Sequence, residues 1–413
     1  MFCKATLLTV ALALIASASP IARDSQSGIH VPLHKRGSLK KSDGSFDYAK
    51  AAIQFAKVQN KHRQNLINLQ RNKGFLSDSL YIPKPVTLSK RQALPLTDEQ
   101  NGLEWMGTVS IGTPATDFAI DFDTGSADLW IPSSSCSGCG SHSTYNPSSS
   151  STSKSESGTF QISYGDGSTA SGPEYTDTVS LSGVTVTGQA LSAVTSESGE
   201  FQSDPADGLM GLAFQSISQL QSSPFPFTAS SEGVISQGVF AFKLTSSGAE
   251  LYMGGTDSSL YSGDIEYHDL SSSDGFWQIG GASAIVNGQT ATSGFDTVID
   301  SGTTLAYGPT SGVSQLYAAI PGSQQGSDGT YTFPCDSSAT VGFSWGGQTW
   351  QIDPSLFNQG TSSSDSSQCV GAIGASDNLG LGSNTWLLGD IFMSNVYTAF
   401  SIDQNAVGFA ALA

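Results

Sequence analysis

The sequence predicts an all-β fold built as two related lobes, and three observations carry that prediction. Ser, Thr and Gly dominate the polar positions, with 46 glycines and only 13% charged residues. That composition suits many short strands joined by tight turns, not a helical bundle. From residue 92 onward, β-prone runs alternate with clusters of Gly, Pro and Ser. A two-part motif occurs once in each half of that region, which suggests lobes related by an internal pseudo-twofold.

Taken in order, the chain begins with a signal-peptide pattern. Lys4 is a weak basic region, Thr6 to Ile15 is apolar, and Ala16-Ser17-Ala18 offers a cleavage site. Residues 1–18 are therefore expected to be removed and the protein secreted. No other stretch approaches a membrane span, and no lipid-anchor tail follows. Residues 19–91 are basic and partly helical in pattern, with Ala49, Ile53, Ala56, Leu66 and Leu69 able to line one face. They end at the dibasic pair Lys90-Arg91, and an earlier pair, Lys35-Arg36, leaves the cut open. The two lobes are expected at residues 92–262 and 263–413.

Charge divides the chain sharply. Residues 1–91 hold 15 of the 17 Lys and Arg against four acids, a net of +11. Residues 92–413 hold only Lys154 and Lys243 against 31 acids, a net of −29. The overall −18 excludes nucleic acid as a partner, since phosphate binding needs bases. The two parts should attract each other, which makes the basic segment a removable pro-segment held on an acidic body.

Within the body, Trp105 to Ile111, Phe118 to Phe122, Phe160 to Tyr164, Val179 to Val186 and Val239 to Leu244 read as strands. Short helices are expected near Ser216 to Leu220 and Ser311 to Ile320, and Ser148 to Ser153 is a low-complexity loop. Cys3 leaves with the signal peptide, so four cysteines remain. Cys136 pairs with its neighbour Cys139, and Cys335 with Cys369 around a longer loop. Loop closure gives about 2 kcal/mol for the short bridge and about 4 for the long one. Cys136-x-x-Cys139 also matches half of a zinc or redox motif. With no second CxxC and only His142 nearby, a structural bridge is expected and no metal.

The repeated motif carries the chemistry. Ile120-Asp121-Phe122-Asp123-Thr124-Gly125-Ser126 is matched by Thr297-Val298-Ile299-Asp300-Ser301-Gly302-Thr303. Each is followed about 88 residues later by two apolar residues and a glycine, Leu209-Met210-Gly211 and Leu387-Leu388-Gly389. The glycines Gly125 and Gly302 are expected to permit a sharp turn that lifts each Asp from its strand. Ser126 and Thr303 can donate to the carboxylates, while Thr124 and Ser301 can brace one loop against the other. Facing lobes would bring Asp123 and Asp300 together, where two carboxylates share a proton. One then serves as general base and the other as general acid.

These residues resemble a pepsin-like aspartic endopeptidase of the kind fungi secrete. The likeness runs from about Val31 to the C-terminus, and includes Phe122 to Ser126 with Leu129-Trp130, Val298 to Thr304, Asp207 to Leu212, and Trp386 to Asp390. Val31 to Arg36 is similar to the start of the family's pro-segment, and Tyr164-Gly165-Asp166-Gly167-Ser168 to the tip of its hairpin flap. The resemblance implies a bilobal fold with the site in the cleft between lobes. It also implies a monomer that hydrolyses protein and peptide substrates without a cofactor, inhibited by its own pro-segment until acid releases it. A water between Asp123 and Asp300 would attack the peptide carbonyl. Tyr164 would pair with Trp130 and line the cleft, and Asp166 would favour Lys before the cut. Both disulfides sit where the family places them, the Cys136–Cys139 loop being shorter than in many members. Asp121 points to the same side as Asp123 and is expected to reach solvent or a hydroxyl; buried, it would raise the pKa of Asp123. A relative that binds without cutting would have a damaged second motif or flap. A two-carboxylate glycosidase would need neither paired loops nor the downstream repeat.

Overall fold

The computed structural model describes residues 28–35, 37–86, 104–163, 169–198, 202, 204–326 and 328–413. The expectations on residues 1–18, on the Lys90-Arg91 cut and on Tyr164, Gly165 and Asp166 lie outside them. The described body is almost wholly β, in sheets of eight, seven, six and four strands.

The eight- and seven-stranded sheets repeat one local plan. In the first, Thr116–Asp123 runs parallel to Gly208–Gly211, which pairs antiparallel with Leu129–Ser137. In the second, Gln289–Ile299 runs parallel to Thr385–Leu388, which pairs antiparallel with Ala306–Gly308. Each motif's downstream half is thus the strand inserted beside its upstream half. This is why the spacing recurs.

The six-stranded sheet belongs to both halves. Its order is Ile29–Pro32, Glu250–Met253, Val239–Lys243, Val396–Ser401, Ala406–Leu412 and Tyr261–Asp269. The boundary expected at residue 262 falls inside its last strand. Above it, Trp277 packs on Phe240 and Phe400 and donates its indole N–H to Leu212 O at 3.1 Å. One continuous apolar core runs through both halves.

Among single elements, Trp105–Ile111, Thr116–Asp123, Lys154–Ser163 and Val239–Lys243 are strands, and Thr310–Ala318 is a helix. The run from Val179 to Val186 is not one strand. It is a hairpin joining Thr169–Leu181 to Val184–Ser198, because Ser182 and Gly183 both adopt positive φ. Near Ser216 only the 3-10 turn Gln215–Ile217 forms. Cys136 is bonded to Cys139 and Cys335 to Cys369.

The basic segment folds onto this body. His34–Lys35 extends the eight-stranded sheet beside Trp105–Ile111, with Lys35 opposite Trp105. Tyr48–Lys73 is a helix of 26 residues, capped by Asp47 on Lys50 N and ended by Gly74 in the left-handed region. Arg71 and Lys73 in its last turn complement the helix dipole. Ile53, Ala56, Leu66 and Leu69 are buried as the pattern implied, while Ala49 is half-buried. Among the described residues no helix is long and apolar enough to cross a membrane.

Candidate active site

Asp123 ends its motif strand, Asp300 directly follows the end of the other, and the two face each other, both fully buried. The loops that carry them are cross-braced by reciprocal hydrogen bonds. Thr124 N donates to Ser301 Oγ at 3.0 Å, and Ser301 N to Thr124 Oγ1 at 2.9 Å. Each hydroxyl passes its own proton on, Thr124 to Ile299 O at 3.0 Å and Ser301 to Phe122 O at 2.7 Å. Every polar atom of the brace is satisfied, as burial requires.

Each carboxylate is fixed within its loop as well. Gly125 N donates to Asp123 Oδ1, and Gly302 N to Asp300 Oδ1, both at 2.9 Å. Thr303 Oγ1 donates to Asp300 Oδ2 at 2.7 Å, whereas the corresponding hydroxyl of Ser126 makes no hydrogen bond.

The glycines serve differently from the sequence expectation. Neither Gly125 nor Gly302 has a positive φ. A Cβ on Gly125 would collide with the carboxylate of Asp300, and one on Gly302 with that of Asp123. Glycine is required because each loop must admit the other's carboxylate, not because the turn demands a special backbone. Gly211 and Gly389 act likewise. A Cβ there would strike the backbone at Ala127 and at Thr303, respectively. Leu212 N and Asp390 N then reach Asp123 O and Thr303 O at 2.8 and 2.7 Å.

The long basic helix fills the cleft above the pair. Lys61 Nζ lies 3.0 Å from Asp123 Oδ1 and 2.9 Å from Asp300 Oδ1, with its side chain 7% exposed. His62 Nε2 sits 3.2 Å from Asp300 Oδ2, its ring packed against Phe276. Asn65 donates to Gly125 O at 2.7 Å and Asn68 to Ile217 O at 3.0 Å. Arg71 and Asn72 both donate to Ser218 O, at 3.1 and 2.8 Å.

These contacts set the protonation of the site. Burial works against the Lys61 charge, but the two carboxylates more than restore it, so its ammonium is held above its ordinary value. Burial would also raise Asp300, yet Lys61 and His62 outweigh it and hold that carboxyl well below the usual range. Burial pushes Asp123 up, and Lys61 offsets only part of the rise. Asp123 Oδ2 accepts no hydrogen bond, so it is the open oxygen of the pair.

Sequence reasoning did not single out Lys61, His62 or Asn65. The available signal was polar: Lys57, Lys61, Asn65, Asn68 and Asn72 recur every three or four residues on one helix face. Such a face usually meets water; here it meets an acidic cleft. Asp121 also departs from expectation. It is 4% exposed instead of reaching solvent, and burial with the nearby charges of Glu104 and Asp123 drives its carboxyl well above the usual range. Trp130 is buried with Phe160, Ile162, Ala170 and Val194.

With this geometry in place, residues 104–412 match the family model described as eukaryotic aspartyl protease. The chain is similar to an aspartic protease of Phaffia rhodozyma, 44% identical over 325 residues, which are 76% of this chain and 78% of that protein. It is similar to rhizopuspepsin of Rhizopus chinensis, 34% identical over 99% of this chain and 100% of the relative. It is also similar to pepsin A of Sus scrofa, 35% identical over 85% and 93%. The chain belongs to the eukaryotic aspartyl protease family and is an aspartic-type endopeptidase of pepsin-like fold.

Because the brace has no spare partner, Thr124→Val should leave the buried Ser301 N without an acceptor and Ile299 O without the hydroxyl donor. A loss of roughly 3 kcal/mol is expected. Urea unfolding of the full-length protein measures it.

Proposed function

We propose that this chain is the self-inhibited precursor of a secreted, monomeric acid endopeptidase. Residues 1–18 direct secretion, residues 19–91 form the inhibitory pro-segment, and the lobes at 92–262 and 263–413 supply one catalytic aspartate each. The observation that carries the reading is the position of Lys61 Nζ, within 3.0 Å of one oxygen of Asp123 and of Asp300. An ammonium there takes the place a water would need, and its charge keeps Asp300 from holding a proton. The precursor therefore has no place for the nucleophile.

Once the helix leaves, the charge balance changes. Two buried carboxylates this close share one proton. Asp300, still receiving Gly302 N–H and Thr303 O–H, is the better-supported anion of the two loops. Asp123, with its open Oδ2, is the natural carrier of the shared proton. A water held between them loses a proton to the ionised carboxylate as it attacks the peptide carbonyl. The protonated carboxyl supports the developing oxyanion, and the diol collapses as the amine takes up a proton. Thr124 and Ser301 hold the two carboxylates in one plane of action without touching substrate. The proposed roles of Tyr164, Gly165 and Asp166 as a flap over substrate, with Trp130 behind, complete the cleft.

Three outcomes test this. Asp123→Asn and Asp300→Asn in the acid-activated protein should each lower kcat by about a thousand-fold or more while the melting profile is retained. Substantial turnover by either variant contradicts the assignment. Second, Lys61→Met leaves the dyad buried without a counter-charge. The full-length variant should lose roughly 3–5 kcal/mol at pH 7 and convert to the mature form at a higher pH than wild type. Conversion is followed by gel and N-terminal sequencing, with the mature terminus expected near Gln92.

The third concerns stability against pH, which should have opposite slopes in the two forms. In the full-length protein Asp300 is depressed, so its contribution is complete above the unfolded value of about 3.9 and is lost as pH falls below it. The full-length melting midpoint should therefore drop below about pH 4, and less so in Lys61→Met. In the mature form a shared proton raises one carboxyl above 3.9, so that contribution exists in acid and fades as pH rises. Lys154 and Lys243 alone offset the remaining acids. A mature midpoint that stays level above about pH 6.5 contradicts the argument.

A further inference from the structure

A second group of carboxylates lies beside the dyad and has no part in the chemistry above. Glu104 precedes the strand Trp105–Ile111, Asp121 lies on Thr116–Asp123, and Asp204 is in the turn before Gly208–Gly211. Three separate segments of the first half therefore converge on one spot. The Glu104 carboxyl hydrogen-bonds that of Asp204. Asp121 is 4% exposed and its Oδ1 has no hydrogen-bond partner. Asp204 is held in place through Oδ1, which accepts from Ala206 N at 3.0 Å, and through its carbonyl, 2.8 Å from His142 Nε2.

A cavity of about 40 Å³ lies against this group. Glu104, Asp121, Asp123, Leu209 and Gly302 line it from the body, and Lys57 and Lys61 close it from the helix. Lys57 Nζ is 3.9 Å from Asp204 Oδ2, with its side chain 15% exposed. The cations at the cavity both belong to the basic segment. Carboxylates gathered in a partly dry site are costly unless a cation or a proton neutralises them. When the helix departs, these three lose theirs.

We propose that Glu104, Asp121 and Asp204 form a subsite for the ammonium or guanidinium group of a substrate lysine or arginine, which takes the place that Lys57 holds in the precursor. The proposal rests on the reading that the helix Tyr48–Lys73 leaves the cleft on activation. Lys57 and Lys61 are four residues apart on a helix, a rise of about 6 Å. An extended peptide covers that distance in about two residues. The recognised side chain thus belongs to a residue about two positions from the scissile bond. This separates the subsite from Asp166, whose expected influence is on the residue next to the cut.

The test walks one lysine through an otherwise apolar peptide, with norleucine as the matched control at each position. The acid-activated enzyme is assayed at about pH 5, where an arriving ammonium favours the ionised form of carboxyls that burial alone would keep protonated. At a position about two residues from the cut, the lysine peptide should have kcat/KM roughly ten-fold or more above its norleucine partner, the range of a buried charge-assisted contact. In Asp204→Asn and Glu104→Gln that ratio should collapse to within about two-fold. No preference at any position away from the bond, or a ratio that survives both substitutions, overturns the subsite. The wild-type walk needs no variant, so it remains decisive where a substitution prevents folding. A protein that cuts none of the peptides overturns the activation reading along with the subsite. One that cuts all of them equally overturns the subsite alone.

Discussion

Everything in this molecule is arranged around a charge problem. Two carboxylates are buried against each other in a body that carries a net −29 and only two lysines. Ionised together they would repel strongly at low dielectric. The full-length protein answers with a cation from outside the body, Lys61, placed at equal reach of both. The rest of the basic segment follows from having to deliver that ammonium. A helix long enough to cross the cleft supplies the reach. Asn65, Asn68 and Asn72, donating to loop carbonyls, hold it in register. The two short strands at residues 29–35 tie its leading end into two sheets.

The geometry under the carboxylates is set by backbone proximity. Each motif loop packs on the strand inserted beside it, and the approach is so close that Gly211 and Gly389 have no room for a Cβ. The same is true where the loops meet each other at Gly125 and Gly302. With side chains excluded, the Thr124 and Ser301 hydroxyls can exchange hydrogen bonds across the interface. Rigidity at this point is bought by smallness: four glycines and two short hydroxyl residues leave nothing that can rotate.

How much of this could be read beforehand depends on whether the cause was local. The duplicated Asp-Thr-Gly-Ser and Asp-Ser-Gly-Thr segments, with their apolar-apolar-Gly partners, disclosed the twofold plan because each strand and its insert are encoded in contiguous runs. Asp123 and Asp300 stood out for the same reason, and the charge division led to the expectation that residues 19–91 lie on the body. What stayed hidden was relational. The need for glycine at 125 and 302 comes from the opposite loop, so a turn propensity was the natural but mistaken explanation. Lys61 and His62 look like ordinary members of a basic helix until the cleft is known. Asp121 has the alternation of an edge residue, and its burial depends on Glu104 and Asp204, which are remote in sequence. The hairpin at Ser182-Gly183 was concealed by the valines on either side of it.

The shared six-stranded sheet has a consequence for synthesis. Val239–Lys243 pairs with nearby Glu250–Met253 but gains its second neighbour from Val396–Ser401, and Tyr261–Asp269 joins the sheet through Ala406–Leu412. The strand leading to Asp300 likewise takes its parallel neighbour from Thr385–Leu388. These contacts span about ninety residues or more, the kind that form late and slowly. A nascent chain therefore cannot complete the six-stranded sheet or the packing beneath Asp300 before its last strands leave the ribosome. By then the basic helix Tyr48–Lys73, made some three hundred residues earlier, has long been available. Vectorial translation thus delivers the helix that fills the cleft before the cleft itself, and the pair of aspartates is assembled only once Thr385–Leu388 is made.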